Sequence, residues 1–333
     1  MAVSRALRTL GESMVVPVSW YGAALNVPNV GPCETANLWE VPSPLATGAV
    51  DMTDGSRIIL RRHGNPDGPR LVLSHGNGLA IDLYYPFWSL LAERFDLVLY
   101  DLRNHGWNPP SDIRSHNIPT FVSDNEHVFR GIDRYFGKKS GIGVFHSLSA
   151  VAALNHEPPG EGLAALVLFD PPICPPSGDP LELDALWKKL GILTRLRQER
   201  FETREELADN IRRTPAFARL APGVADLFAQ TTLRHASDGT GYQLRCPRAC
   251  EARVFEYIFA YNFEPETSGF ACPVKVLGGD PTTGYSFLPS MDLRGIAALD
   301  YDFVPETTHF LQLEDPQACV ARMLEFLEHR GLV

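Results

Sequence analysis

Val144-Phe145-His146-Ser147-Leu148-Ser149-Ala150 is the stretch that decides how this chain folds. A short apolar run, Ile142 to Phe145, halts at a serine, and small apolar helix formers follow from Leu148 to Leu154. A serine between a strand and a helix sits on a turn too sharp for ordinary backbone, with its hydroxyl projecting above the sheet. The usual pattern of such a nucleophile elbow is G-x-S-x-G. Here the two glycine positions hold Phe145 and Ser149. Serine is small enough for the close approach the turn demands; phenylalanine is bulky. Ser149 is a rival for the reactive hydroxyl, but Val151 would then fill its downstream close-approach position. Ser147 is preferred.

Outward from this turn, short apolar runs alternate with helical patterns: Leu71-Val72-Leu73, Leu97-Val98-Leu99-Tyr100, Gly143-Val144-Phe145 and Leu166-Val167-Leu168-Phe169. Near-continuous apolar strands separated by amphipathic helices predict an α/β fold, a mostly parallel doubly wound sheet covered on both faces. Upstream, Val50-Asp51-Met52 and Arg57-Ile58-Ile59-Leu60 flank Asp54-Gly55, a hairpin signal. Thr120 is read as the cap of a helix whose buried face carries Val128, Ile132, Tyr135 and Phe136. Near the end, Asp315-Pro316 supplies a cap and a first-turn proline, ahead of a stripe of Val320, Met323, Leu324 and Leu327.

Strand runs vanish between 173 and 270, where charge and helix formers dominate, and return at Val274-Lys275-Val276-Leu277 and Tyr301-Asp302-Phe303-Val304. The expected organisation is an N-terminal arm (1–45), a core (46–172), an inserted helical cap (173–270) and the rest of the core (271–333). The arm, with Trp20, Tyr21 and Trp39 as anchors, would pack on the body or on a second copy in a homodimer. A cap there would roof the crevice at the strand ends, where open α/β sheets bind ligands.

Composition narrows the function. The net charge of -10, with no cluster of Lys and Arg, argues against nucleic acid. No stretch reaches the roughly 20 apolar residues of a membrane span. Residues near Arg5, Arg8 and Glu12 lack the apolar block of a secretory signal. The six cysteines (Cys33, Cys174, Cys246, Cys250, Cys272 and Cys319) are scattered, and the Cys246/Cys250 spacing has no second pair. They read as free thiols of a cytoplasmic protein.

Four signals each follow a strand run: Ser74-His75-Gly76-Asn77-Gly78, then Ser147, then Gly278-Gly279-Asp280-Pro281, then Thr307-Thr308-His309-Phe310-Leu311. A serine hydroxyl is a poor nucleophile at neutral pH and needs a histidine to take its proton. An acid must hold that imidazole in the right tautomer. Glycines after the first run let backbone N–H groups face a developing anion. Asp170, which also ends a strand run and precedes Pro171-Pro172, competes with Asp280 for the acid.

Nucleophile, acid and base in this order resemble the α/β-hydrolases, over about residues 48 to 330. Tyr100-Asp101-Leu102-Arg103-Asn104-His105-Gly106 is similar to the family's loop after the following strand, and His309 to Pro316 to its histidine segment. The resemblance implies a serine hydrolase with Ser147, Asp280 and His309 as triad. It gives the oxyanion donors as the backbone N–H groups of Asn77 and Leu148, and implies no metal or organic cofactor. The expected reaction is hydrolysis of a small, largely apolar carboxylic ester through an acyl-serine. Gly76, His146, Tyr84 and Trp107 are expected around the substrate. His75, His105 and His146 share no local element and read as structural or pocket-lining residues, not a metal set. Asp101 and Arg103 read as loop anchors. Cleavage of a carbon–carbon bond, acyl transfer, or a receptor with a vestigial triad are the alternatives, the last suggested by Phe145.

Overall fold

The computed structural model describes residues 39–173, 180–261, 269–283 and 299–333. Most of the expected arm, with Trp20 and Tyr21, lies outside these residues, as do Cys33 and Cys174. Trp39 is described: its indole N–H donates to Pro222 O at 3.0 Å. The strands are β1 (Ala46–Asp51), β2 (Arg57–Gly64), β3 (Arg70–Ser74), β4 (Asp96–Tyr100), β5 (Gly141–His146), β6 (Leu163–Phe169), β7 (Arg200–Phe201), β8 (Leu233–His235), β9 (Tyr242–Leu244), β10 (Val274–Gly279) and β11 (Asp300–Val304). Eight of the described strands form one sheet in the order β1-β2-β4-β3-β5-β6-β10-β11. From β4 onward its neighbours run parallel; β1 and β2 are antiparallel.

The predicted hairpin is β1–β2, with Val50 opposite Ile58 and Gly55 at φ 80° in its turn. The apolar runs are the central strands, and their alternation divides the core. Leu71, Leu73, Leu97, Leu99, Val167 and Phe169 face one side, with Phe87 and Trp88. Val72, Val98, Tyr100, Phe145, Leu166 and Leu168 face the other. There they meet α1 (Ile118–Phe136), through Phe121, Val128 and Ile132, and α2 (Leu148–Leu154). Fully burying one such side chain is worth about 1.5–3 kcal/mol, and two covered faces explain why these strands are apolar throughout.

Two local expectations need correction. Asn117, not Thr120, caps α1: its Oδ1 accepts from Thr120 N at 3.0 Å, satisfying an N–H that the helix leaves open. Tyr135 is 43% exposed and off the core face; its hydroxyl reaches back to Ala49 O at 2.8 Å.

Between β6 and β10 the chain leaves the large sheet. It forms α3 (Pro180–Leu196), α4 (Arg204–Arg213), α5 (Val224–Thr232) and α6 (Arg248–Tyr257). This block is not purely helical, because β7, β9 and β8 pair as a small antiparallel sheet. Strands of two or three residues are too short to leave an apolar run in sequence. The last helix, α7 (Pro316–His329), begins as expected, Asp315 Oδ1 accepting from Ala318 N at 2.9 Å with Pro316 in its first turn. Its Met323 and Leu327 are buried, while Val320 and Leu324 pack on the core partly exposed. No described helix is long and apolar enough to cross a membrane.

Burial on β2 has a consequence for stability. His63 is 4% exposed, with its ring 5.0 Å from that of Trp88. Burial, aided by the nearby Arg61 charge, lowers its pKa from 6.5 to about 4. The folded protein therefore binds fewer protons here than the unfolded chain between about pH 6.5 and 4. The neutral ring's contribution is fully present above pH 6.5 and is lost as pH falls through that window. Urea unfolding of the wild type and His63→Gln across pH 4.5–7.5 should show it. The wild-type advantage should decline by about 1.4 kcal/mol per pH unit below pH 6 and stay flat above 7. A difference independent of pH would refute this.

Candidate active site

Ser147 joins β5 to α2 with φ 50° and ψ -111°, backbone that a non-glycine residue rarely adopts. Such a conformation costs about 1–3 kcal/mol and persists only when its surroundings impose it. Here Ser147 N donates to Phe169 O at 3.0 Å and Val151 N to Ser147 O at 2.9 Å. Ser149 is fully buried and braces the turn: its Oγ accepts from His146 N at 3.0 Å and donates to His146 O at 2.9 Å. A hydroxyl committed in both directions is a strut, which separates it from Ser147. Phe145 fits because residue 143 is glycine; a Cβ there would lie 2.6 Å from the Phe145 ring.

Ser147 Oγ lies 3.1 Å from His309 Nε2, although 162 residues separate them. On the other side of that ring, His309 Nδ1 is 2.5 Å from Asp170 Oδ2. The carboxylate against His309 is therefore that of Asp170, and the expectation of Asp280 is corrected. Strand order gives the reason. Phe169 of β6 pairs with His146 of β5, so the residue after β6 sits beside the elbow. Asp280 follows β10, one strand further out, where Leu277 is the residue opposite Phe169. Its oxygens are spent locally, accepting from Glu306 N at 2.9 Å, Thr282 N at 2.8 Å and Thr282 Oγ1 at 2.7 Å. Those bonds, the Glu306 N–H foremost, hold its carboxyl below the usual range.

Gly76, Asn77 and Gly78 face Ser147 across a cleft of about 580 Å³, partly open to solvent. Gly76 is required by close approach: a Cβ would lie 2.8 Å from His146 Nδ1 and 3.2 Å from Ser147 Cβ. The backbone N–H groups of Asn77 and Leu148 have no hydrogen-bond acceptor among the described residues. Both residues line the cleft.

Tyr84 and His146 do not line it; they stand behind its wall. Gly76 N donates to the Tyr84 hydroxyl at 3.2 Å, which donates to His146 Nδ1 at 2.6 Å. His146 Nε2 in turn donates to His309 O at 2.8 Å. This directed chain ties the loop at 76–78 to the backbone of His309. Burial and the adjacent His309 keep the His146 pKa well below 6.5, so the ring stays a neutral link. Trp107 is also outside the cleft, 46% exposed, with its indole N–H on Asp82 Oδ2 at 2.7 Å.

Besides Leu79, His309 and Phe310, the remaining lining comes from the block between β6 and β10, where no motif announced it. Trp187, Phe217, Phe228, Val254, Phe255 and Ile258 make the walls apolar. Among them lies one ion pair, Arg197 with Glu251. Burial pushes the Glu251 carboxyl up, and Arg197 opposes that. Glu251 also reaches the loop at 76–78: its carbonyl accepts from Asn77 Nδ2 at 3.0 Å. A Cβ on Gly78 would come within 2.5 Å of its carboxylate. Fifty-four positions separate 197 from 251, so only folding pairs them.

His105, His116 and Cys246 each bring one potential ligand atom within 4.8 Å of the others. Both nitrogens of His105 are engaged by backbone, Nδ1 with Arg103 O at 2.9 Å and Nε2 accepting from Gly78 N at 3.0 Å. His116 Nδ1 faces the Asn104 side-chain amide at 3.1 Å. These bonds anchor loops, and the Gly78 bond holds the cleft's own loop.

Ser147 and Asp170 thus follow the adjacent parallel strands β5 and β6, and His309 follows β11, two strands further out. The family described as Alpha/beta hydrolase family matches residues 71–322. The chain belongs to the alpha/beta hydrolase family. Over 80 residues this chain is 41% identical to the "Probable oxidoreductase EphD" of Mycobacterium tuberculosis (strain ATCC 25618 / H37Rv). That match covers 24% of this chain and 14% of the relative. Among solved structures, E-2-(acetamidomethylene)succinate hydrolase superposes with a TM-score of 0.67 at 19% identity, covering 85% of this chain and 99% of that one. The thioesterase domain from the curacin biosynthetic pathway gives 0.62 at 18%, covering 84% and 99%. A thermophilic esterase from Thermogutta terrifontis gives 0.58 at 17%, covering 85% and 98%. At such identities the likeness concerns the fold.

Proposed function

We propose that this hydrolase cleaves a carboxylic ester through an acyl-serine intermediate, with Ser147 as nucleophile, His309 as base and Asp170 as acid. The observation that carries this reading is the unbroken line from Ser147 Oγ through His309 to Asp170 at the floor of a cleft. His309 Nε2 takes the Ser147 proton as the oxygen attacks the ester carbonyl. Asp170 holds the ring in the tautomer whose Nε2 accepts, and it stabilises the imidazolium. The negative charge that develops on the carbonyl oxygen is met by the N–H groups of Asn77 and Leu148. Losing one such donor typically costs about 3 kcal/mol of transition-state stabilisation. The tetrahedral species collapses, and His309 returns the proton to the departing alcohol. Water, deprotonated by His309, then attacks the acyl-serine, releasing the acid and restoring the serine. The block between β6 and β10 acts as a cap, closing an apolar cleft over these steps.

A serine at the elbow sets this chemistry apart from that of an aspartate nucleophile, which would form an alkyl-enzyme ester. Phe145 loses its force as a sign of a vestigial site, because Gly143 makes room for its ring.

Labelling with a fluorophosphonate followed by peptide mapping tests the assignment. The adduct is expected on Ser147 and should vanish in His309→Ala. An adduct on Ser149, or no adduct with the folded wild type, would overturn the assignment. Parallel assays with simple esters and β-diketones divide ester from carbon–carbon cleavage, and only faster ester turnover agrees with the reading.

A further inference from the structure

A second pocket, of about 570 Å³ and open to solvent on one side, adjoins the cleft that holds Ser147. Gly78, Arg197, Phe217 and Phe228 line both spaces. The wall between them is therefore formed by these side chains and by the loop that faces the nucleophile. Beyond it lie Leu207, Asn210 and Ile211 of α4, with Phe201 and Leu244 from the small sheet. The second space thus meets the cleft at Gly78, the neighbour of Asn77, while Ser147 and His309 line the first space alone.

Its chemistry differs from that of the first. Arg197 is the one charged side chain among its described lining residues, and that charge is already balanced by Glu251. A charged group entering here would give up part of its hydration and meet no net counter-charge, which is costly. Uncharged hydrogen-bonding groups are nevertheless present. The Asn210 amide makes no hydrogen bond to another described residue, so it can both donate and accept. Thr214 Oγ1 donates to Asn210 O at 2.7 Å, which leaves its lone pairs to accept. The Gln198 NH2 is taken by Arg200 O and Glu206 Oε1, which leaves its carbonyl oxygen.

We propose that this second cavity receives an uncharged, hydroxyl- or amide-bearing arm of the substrate. The apolar arm then occupies the side of the cleft walled by Trp187, Phe255 and Ile258. This rests on the ester-hydrolase reading and narrows it to an elongated neutral ester whose two ends differ in polarity. Specificity comes from rejecting charge as much as from the new contacts.

Butanoate esters of glycerol, choline and glycolate present a neutral, a cationic and an anionic arm of similar reach. The wild type should hydrolyse the glycerol ester with kcat/KM at least tenfold above both charged esters. Asn210→Asp should raise the choline-to-glycerol ratio at least tenfold, a gain that misfolding cannot produce. Asn210→Phe, which fills the space, should lower the glycerol-to-methyl ester ratio at least fivefold. Equal turnover of charged and neutral esters, or ratios unmoved by both variants, would overturn the proposal. Calorimetric titration of Ser147→Ala with glycerol monobutanoate reads the cavity without turnover. Adding Asn210→Phe should weaken that binding at least tenfold, and an unchanged Kd would refute the site. Absence of ester hydrolysis by the wild type would count against the reaction alone.

Discussion

Asp170→Asn should lower kcat for ester hydrolysis by about 10⁴-fold, and Asp280→Asn by less than tenfold. The first figure follows from the acid's role. An asparagine keeps the shape but no longer favours the tautomer with its proton on Nδ1, and it offers no charge to the imidazolium; comparable sites lose about 10⁴. His309 Nδ1 meets Asp170 Oδ2 at 2.5 Å, so the substitution acts on a contact already made. Asp170 is also held in place. Its backbone N–H donates to Leu277 O at 2.8 Å, and φ 40° turns its side chain toward the histidine. Asp280→Asn alters a turn instead. Asn keeps the geometry, but hydrogen bonds from Thr282 and Glu306 weaken when their acceptor loses its charge. That effect should appear as a small fall in thermal midpoint with KM and kcat nearly intact. Steady-state kinetics of both variants, with melting curves as control, decides between them. A greater kcat loss at 280 would return the acid to the end of β10 and break the proposed triad.

The same pair shows where sequence stops being informative. Both aspartates follow an apolar run and precede proline-containing turns, so spacing alone ranks them poorly. What separates them is lateral order, since β6 pairs directly with β5 and β10 does not. Strand order is non-local, and no short motif encodes it. The elbow was legible because its signal is local, a strand, a serine and a helix within residues 141–154. The apolar strands, the hairpin and the Asp315-Pro316 helix start were legible for the same reason. Tyr84 and Trp107 show the converse. Tyr84 comes soon after the loop at 76–78 and Trp107 after β4, both aromatic, yet one lies behind the cleft wall and the other at the surface. The walls themselves, Trp187 to Ile258, belong to a block whose residues obey no motif and acquire meaning only once folded over the sheet.

Asp101→Ala is expected to destabilise the fold by about 3–5 kcal/mol, the cost of stranding a buried charge. Asp101 and Arg61 are both fully buried, and their ion pair measures 2.7 Å. Burial disfavours the carboxylate, but Arg61 foremost among its partners more than offsets this and keeps it ionised. Its oxygens also accept from Ile81 N at 2.8 Å and Trp107 N at 3.1 Å. Removing it leaves the guanidinium with Asp82, at 3.1 Å, and the face of Trp107, and two backbone donors without their acceptor. Each buried orphan accounts for about 1–3 kcal/mol of that loss unless water enters. Gly106 shows how tightly the loop wraps this carboxylate, since a Cβ there would lie 2.0 Å from Asp101 Cγ. Urea unfolding measures the loss, and adding Arg61→Leu should recover a substantial part, because the unpaired charge is then gone. A single-variant loss below 1 kcal/mol, or no recovery in the double variant, would deny the pair its anchoring role. The effect should extend to catalysis. Asp101 fixes the residues just after the loop at 76–78, and His105, four positions beyond it, accepts from Gly78 N. Loosening this hub frees the N–H of Asn77 from its fixed direction, so kcat should fall while the Ser147–His309 contact remains.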